Sequence, residues 1–592
     1  MKQNDALNLF RKGVASLKTR GAIGTLRKMI QKVQLADRSS AYALQLQCSP
    51  QELQRQRQTS FPKSVLISIA VPLYNTPLDF LTELIDSVQA QTYSQWELCL
   101  ADGSDDRHTE VEKLCRERAE KDARIKYRKL RDNRGISGNT NACLAMAEGS
   151  YIGLLDHDDL LHPAALYEVM CEICEQHADF IYTDEAVFVG DISHLTTIHL
   201  KPDFAIDNLR GNNYICHFSV FSRELQAQVG GFRSEFDGSQ DHDFILRATE
   251  QAQRIVHISK VLYYWRSSKN STAEDIQHKS YAFEAGIRAV ADHLQRVGLP
   301  ASVQSSAAFP AIYRIRYELK EKPLVSIVIC CREDREIFCR CVSSVHERTE
   351  YKNYELVLVG HKSNMTVLRE LAARLGGQRI QLVEEERDSY AAMCRAGANA
   401  AKGKMLQLLD SSIEITAGSW LTEMLMYAQR EDVGAVGAEI CFPNGQISHA
   451  GYLLGAGEDH TLGHPFSGCN MEEVGYMGRL LYAQNLTAVS SQCLLMRKKE
   501  WDETGPFDEA VGENYCGADL CLKLRKKGKL IVWTPYAAVT RQYAQRRGEK
   551  DGTEKTLFQK RWAAEIAAGD PYYNRNFDAA RDDFALPTVK LK

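Results

Sequence analysis

The chain repeats its own pattern once. LISIAVPLYNT at 66–76 is echoed by LVSIVICCRED at 324–334, and LIDSVQAQTYSQWELCLAD at 84–102 by CVSSVHERTEYKNYELVLVG at 341–360. Ser68 to Asp102 and Ser326 to Gly360 both span 34 positions, so the first two strands of each copy keep one register. Further on, YIGLLDHDDLL (151–161) returns as MLQLLDSSIEI (405–415), and QDHDFILR (240–247) as GADLCLKLR (517–525). Repetition at about 258 residues is a duplicated domain, because solenoid repeats recur every 20–50 or so. At roughly 100–200 residues per domain, a chain of 592 exceeds one core in any case and holds two to four domains.

Within the first copy, strand and helix patterns alternate. VLISIAVPLYN (65–75) reads as a buried strand ending at Pro72, LTELIDSVQAQ (81–91) as a helix, and WELCLADGSDD (96–106) as a strand ending in Asp102 and a turn. A helix over 109–121, the short strand IKYRKL (125–130) and a glycine-bearing loop running into a helix (133–149) lead to YIGLLDHDDLL. ADFIYTDE (178–185), the loop segment KPDF (201–204), strand-like HFSVFSR (217–223), the strand IVHISKVLYYWR (255–266) and a helix from roughly 273 to 297 complete the unit. The pattern predicts an α/β protein with a doubly wound nucleotide-binding sheet in each copy. The expected division is a basic amphipathic helical segment and connector at 1–60, a first unit at 61–305, a linker at 306–321, and a second unit with a C-terminal tail at 322–592.

Chemistry gathers at the strand ends. In YIGLLDHDDLL an apolar run stops at Asp156, His157, Asp158 and Asp159, and in open α/β sheets ligands sit outside the carboxyl ends of the strands. Carboxylates one residue apart suit a hard divalent cation; the plainer reading makes Asp158 or Asp159 the cap of a helix starting near Pro163. Asp241 and Asp243 flank His242, which fits a general base beside a structural partner, although acids also favour a helix N-terminus. The second copy lost these groups selectively. Asp102 becomes Gly360, the Asp156/Asp158 pair becomes Asp410 and Ser412, and Asp241 becomes Gly517, while Ser68/Ser326 and Asp243/Asp519 persist. That contrast predicts a non-catalytic second unit, marks Asp158 as a site residue, and leaves Asp159 as the cap.

Composition bounds the partners. Lys plus Arg number 73 against 77 Asp plus Glu, which argues against a general nucleic-acid binder. No apolar run reaches the roughly 18–20 residues that span a bilayer and no signal peptide opens the chain, so a cytoplasmic location is expected. Residues 1–35 carry eight Lys and Arg against Asp5 alone, with apolar residues at helical spacing. Such a helix can lie peripherally on the inner face of the cell membrane or pack on the protein. Seventeen cysteines scattered through apolar stretches read as structural thiols, the group Cys330, Cys331, Cys339 and Cys341 included.

These motifs, in this order, resemble the inverting family 2 glycosyltransferases with the GT-A fold, and both units look like members. The resemblance covers about 65–305 and 322–545 and extends to two-unit bacterial transferases of O-antigen, capsule or rhamnan assembly. It implies a nucleotide-diphospho-sugar donor held by Pro72, Tyr74 and Asn75 of VPLYN, by Asp102 on the nucleobase, by Gly135 and Asn139, and by Asp156. It further implies that Asp156 and Asp158 ligate Mg²⁺ or Mn²⁺ and that Asp241 is the catalytic base. Gln240, Trp265 and Arg266 would stand on the acceptor side.

The implied reaction moves a sugar, with inversion, onto a growing cell-surface glycan carried on polyprenyl diphosphate, with the chemistry in the first unit. Two alternatives stand beside it: a bifunctional polymerase with both units active, and a saccharide-binding scaffold that makes no bonds.

Overall fold

The computed structural model describes residues 48–267, 280–307, 309–332, 335–377, 379–542 and 552–587; the expected basic helix over 1–35 lies outside the described residues. The first unit contains β1 Ile67–Leu73, β2 Trp96–Asp102, β3 Ile125–Lys129, β4 Tyr151–Leu154, β5 Leu160–Leu161, β6 Phe180–Val189, β7 Asp191–His199, β8 Ser219–Ser222 and β9 Ile255–Arg266. They form one sheet in the order β3-β2-β1-β4-β8-β6-β9-β5, with β7 paired to β6. β1 and β2 are buried along their whole length, which is what near-continuous apolar runs require of parallel strands covered on both faces. β1 to β4 are parallel, as the alternating pattern predicts. β8 runs antiparallel to both β4 and β6, and β5 antiparallel to β9, so the second half of the sheet is mixed.

The second unit reproduces this order strand for strand. Val325–Cys331 is central, flanked by Tyr354–Gly360 and Ile380–Glu384 on one side and by Met405–Leu409 on the other. Framework hydrogen bonds are copied too. Ser68 Oγ donates to Glu97 at 2.6 Å and accepts from Gly149 N at 2.9 Å; Ser326 Oγ repeats this with Glu355 at 2.6 Å and Gly403 N at 2.8 Å. A buried hydroxyl linking three chain segments holds two strands and the following helix–strand turn in one register, which explains why this serine survived in both copies.

The two units share a buried seam. Arg430 pairs with Asp207, whose other oxygen accepts from Asn485 Nδ2 at 2.7 Å. The C-terminal segment packs Tyr573, Phe577 and Phe584 against Phe188, Leu200 and Tyr264 of the first unit. Tyr313–Tyr317, inside the expected linker, pairs with Ala301–Ser305 as a hairpin. Among the described residues no helix is long and apolar enough to cross a membrane. All seventeen cysteines are free.

Candidate active site

Beyond β4 the chain leaves the sheet at Leu155 and turns back through Asp156–Asp159, closed by Asp159 N donating to Asp156 O at 3.2 Å. The end of β9 braces this turn from behind. Tyr263 Oη accepts the Asp156 N–H at 3.3 Å and donates to the Asp159 carboxylate, which also takes the Arg266 N–H at 2.7 Å. Asp159 is fully buried, and the helix Ala165–Gln176 begins with no side-chain cap, so the expected capping role for Asp159 is corrected to an anchor between turn and strand. Arg266, expected on the acceptor side, lays its guanidinium over the rings of Phe80 and Phe188 and bonds Asp158 O at 2.7 Å and Glu83 at 2.6 Å, which leaves it 3% exposed. Trp265 is half-buried and meets His217 in a T-shaped contact at 5.5 Å.

His217 stacks on Tyr263 at 4.6 Å and brings Nε2 to 3.9 Å from Asp156 Oδ2. Asp156, Asp159 and His217 each place a donor atom within 4.8 Å of the others; with both Asp159 oxygens engaged by Tyr263 and Arg266 N, Asp156 and His217 are the members of this group left to meet a divalent cation such as Mg²⁺ or Mn²⁺. Burial raises the Asp158 carboxyl, the charge of Asp156 adds to this, and His157 offsets part of it. A half-buried acid with a like-charged neighbour fits a cation in the same turn.

Asp241 stands in the first turn of the helix Gln240–Gln251, partly exposed, accepting from Asn213 Nδ2 at 2.8 Å and from Cys216 Sγ at 3.6 Å. The other polar residues of the motif turn elsewhere. His242 donates to Leu209 O at 2.8 Å in the core, Asp243 is paired with Arg233 and Arg247, and Gln240 accepts the Gly238 N–H at 2.8 Å within its own turn. Asn213, Cys216 and His217 belong to one loop between the short helix Ile206–Gly211 and β8. That loop therefore touches both Asp241 and Asp156. Lys201, fully buried, secures it by donating to Ile215 O at 2.6 Å, to His217 O and to Glu185 at 2.9 Å.

On the opposite side, Tyr74 is exposed, and Asn75 latches β1 to the turn after β2: its Nδ2 donates to Asp105 at 3.2 Å and its Oδ1 accepts Asp105 N at 3.0 Å. Pro72 is buried within β1. Asp102, expected on the nucleobase, is sealed in its own turn. Burial would raise its carboxyl, but hydrogen bonds from Ser104, Tyr127 at 2.8 Å and Lys129 at 3.0 Å hold it below its ordinary value. Asn139, expected at the donor, is 2% exposed and shapes the preceding loop through Arg134 N and Asn133. Gly135 has φ +73°, and a Cβ there would lie 2.6 Å from Asp237 Oδ2.

In the second unit, Asp410 accepts from both the backbone N–H and the hydroxyl of Ser412, and Leu368 packs where a side chain at Gly360 would stand. A Cβ at Gly517 would meet Ser491 N at 2.6 Å, so the helix has closed on the loop. A polar cavity of about 260 Å³ remains, lined by Arg332, Asp410, His449, His464 and Arg541 among others.

Comparison with known proteins adds the family. Residues 68–226 match the model described as Glycosyl transferase family 2, and 323–563 the one described as Glycosyltransferase like family 2, together more than half of the chain. The chain is 37% identical over 541 residues to the uncharacterized protein y4gI of Sinorhizobium fredii, covering 89% of this chain and 59% of that one. It is 32% identical over 531 residues to the O-antigen biosynthesis protein RfbC of Myxococcus xanthus, covering 88% of this chain and 41% of that one. The chain thus spans about half the length of these relatives. The S. aureus TarS 1-349 structure with UDP-GlcNAc is similar at 20% identity and TM-score 0.32, covering 38% of this chain and 66% of that one.

Proposed function

Because this chain belongs to glycosyltransferase family 2, with one family domain in each unit, we propose that its first unit moves a sugar, with inversion, from a nucleotide-diphospho-sugar to a glycan hydroxyl. The observation that carries this is the 213–217 loop, which presents His217 to Asp156 and presents Asn213 and Cys216 to Asp241. A cation-binding acid and a hydrogen-bonded candidate base thereby share one mouth. Asp156, Asp158 and His217 would hold Mg²⁺ or Mn²⁺, while Asp159 has both oxygens engaged by Tyr263 and Arg266 N. A bound divalent cation supplies neutralising charge for the departing diphosphate. Asp241 takes the proton from the acceptor hydroxyl as that oxygen bonds to the anomeric carbon, on the face opposite the breaking bond to the diphosphate. Asn213 fixes the carboxylate that does this.

Tyr74, Asn75 and Asp105 form the donor rim in this reading, with Asp102 and Asn139 as its support. The second unit carries no chemistry, since Asp410 is committed to Ser412 and Gly517 offers no carboxylate. The acceptor is a cell-envelope glycan on polyprenyl diphosphate at the inner membrane face, a reading supported by the similarity to an O-antigen biosynthesis protein and by the basic N-terminal sequence.

The test begins by screening nucleotide sugars for Mn²⁺-dependent hydrolysis to identify the donor. With that donor, Asp241→Asn should lower transfer by roughly 10²–10⁴-fold and leave donor binding unchanged. Wild-type turnover in D241N would overturn the assignment.

A further inference from the structure

The loop that joins the two halves of the site hangs on Lys201, and Lys201 hangs on a residue 373 positions further along the chain. Asp184, fully buried at the bulge where β6 shifts register on β9, accepts the Lys201 N–H at 2.8 Å and His257 Nε2 at 2.9 Å. Asn574 Nδ2 completes it, at 3.0 and 2.9 Å from the two carboxylate oxygens, and also reaches Lys201 O at 2.9 Å. Both peptide groups flanking the Lys201 Cα are thus tied to one Asp184–Asn574 knot. The direction of the lysine side chain follows, and with it the carbonyls of Ile215 and His217 that its ammonium grips. A fully buried ammonium tolerates little displacement, because leaving those acceptors strands a charge in the core.

The other copy supplies a contrast. Glu439 is the first residue after the corresponding register shift in the second sheet, but no hydrogen bond to its carboxylate is present among the described residues. The C-terminal segment therefore lends its amide to the unit that kept its acids.

We propose that Asn574 is a positioning residue for the first unit, acting through Asp184 and Lys201 on the loop that carries Asn213, Cys216 and His217. The second unit then completes the site of the first, in addition to packing on it. The part concerning the cation rests on the reading of Asp156 and His217 given above; the coupling to the loop does not.

The test uses the full chain as Asn574→Ala, with Asn576→Ala as the control, since Asn576 Nδ2 makes a comparable bond from the same segment to Ser259 O at 2.7 Å. Amide hydrogen exchange over 211–219 needs no ligand. It should rise in N574A and stay at the wild-type level in N576A. Mn²⁺ binding, followed by the resonance of the free ion, should weaken roughly tenfold or more in N574A alone, the scale for losing an outer-shell support. Should N574A not purify folded, Asn574→Ser, which keeps one donor, is measured in the same way. Exchange unchanged in the Asn574 variant, or raised equally in N576A, would overturn the proposal, as would raised exchange with unaltered Mn²⁺ affinity. If the wild type binds no Mn²⁺, the cation reading of the first unit fails and exchange alone decides the coupling.

Discussion

Tyr263 joins the two ends of the acid turn: its hydroxyl oxygen accepts the Asp156 backbone N–H and its proton goes to the Asp159 carboxylate. Burial, followed by the charges of Asp156 and Asp158, drives the Asp159 carboxyl well above its ordinary range, and both of its oxygens are engaged in the core by Tyr263 and by Arg266 N. Asp156 and Asp158, by contrast, stay partly open to solvent.

The four consecutive residues of that turn should therefore separate by experiment. Asp159→Asn leaves the Arg266 N–H or the Tyr263 hydroxyl without its carboxylate partner, at a cost of about 1–3 kcal/mol, and Tyr263→Phe should cost about the same. Asp159→Asn should lower the urea midpoint while Mn²⁺ still binds, whereas Tyr263→Phe, which also frees the Asp156 N–H, should lower the midpoint and weaken Mn²⁺ binding. Asp156→Asn should do the reverse, with near-native stability and lost Mn²⁺ binding. A D159N protein of native stability that had lost Mn²⁺ would return this residue to the cation.

The seam between units yields a second expectation. Arg430 and Asp207 are both buried, with Asn485 and Arg210 completing the carboxylate. Removing Arg430 leaves the buried Asp207 with Asn485 and the longer contact to Arg210 at 3.5 Å, so Arg430→Met should destabilise by up to about 3–5 kcal/mol. Asp207→Asn added to it should recover only part of that loss, because Arg210 then loses its acid. Denaturant unfolding of the two variants beside the wild type measures both, and equal loss in single and double variants would mean that packing rather than charge holds the seam.

Much of this architecture was legible in local pattern. β2 and β9 run over the residues that periodicity assigns to them, and the duplication is visible as a conserved 34-position spacing. The roles of individual acids were less accessible, for physical reasons. Asp158 and Asp159 are neighbours in one motif, and what parts them is the end of β9, more than a hundred positions away. His217 and Asn213 lie in and beside a stretch that reads as an ordinary apolar strand. They reach Asp156 and Asp241 because β8 enters the sheet antiparallel between β4 and β6, a choice of topology that no local pattern encodes. Asp102 and Asn139 sit at the expected positions with their side chains turned into the loops they hold. Asn574 falls in what the sequence offers only as a tail.

Glu439 provides the last expectation, on pH. It is 4% exposed with no counter-ion among the described residues, and burial alone pushes its carboxyl up to about 7 from 4.5. A carboxyl raised in the folded state favours folding while protonated. Its contribution is complete below the unfolded value and is lost as pH rises through about 7, which makes the wild type less stable at pH 8 than at pH 5 on this account. Glu439→Gln is uncharged throughout and keeps the shape, so it removes that loss. The stability difference between E439Q and wild type should be small near pH 5 and grow through neutrality to on the order of 2–3 kcal/mol at pH 8. Subtracting the two profiles cancels the contribution of His257, whose raised value acts in the same direction: its own burial opposes the charge, but Asp184 and Asp203 outweigh it. Thermal midpoints of both proteins in one buffer series from pH 5 to 8.5 would measure the difference, and a flat one would show that Glu439 finds a donor on folding.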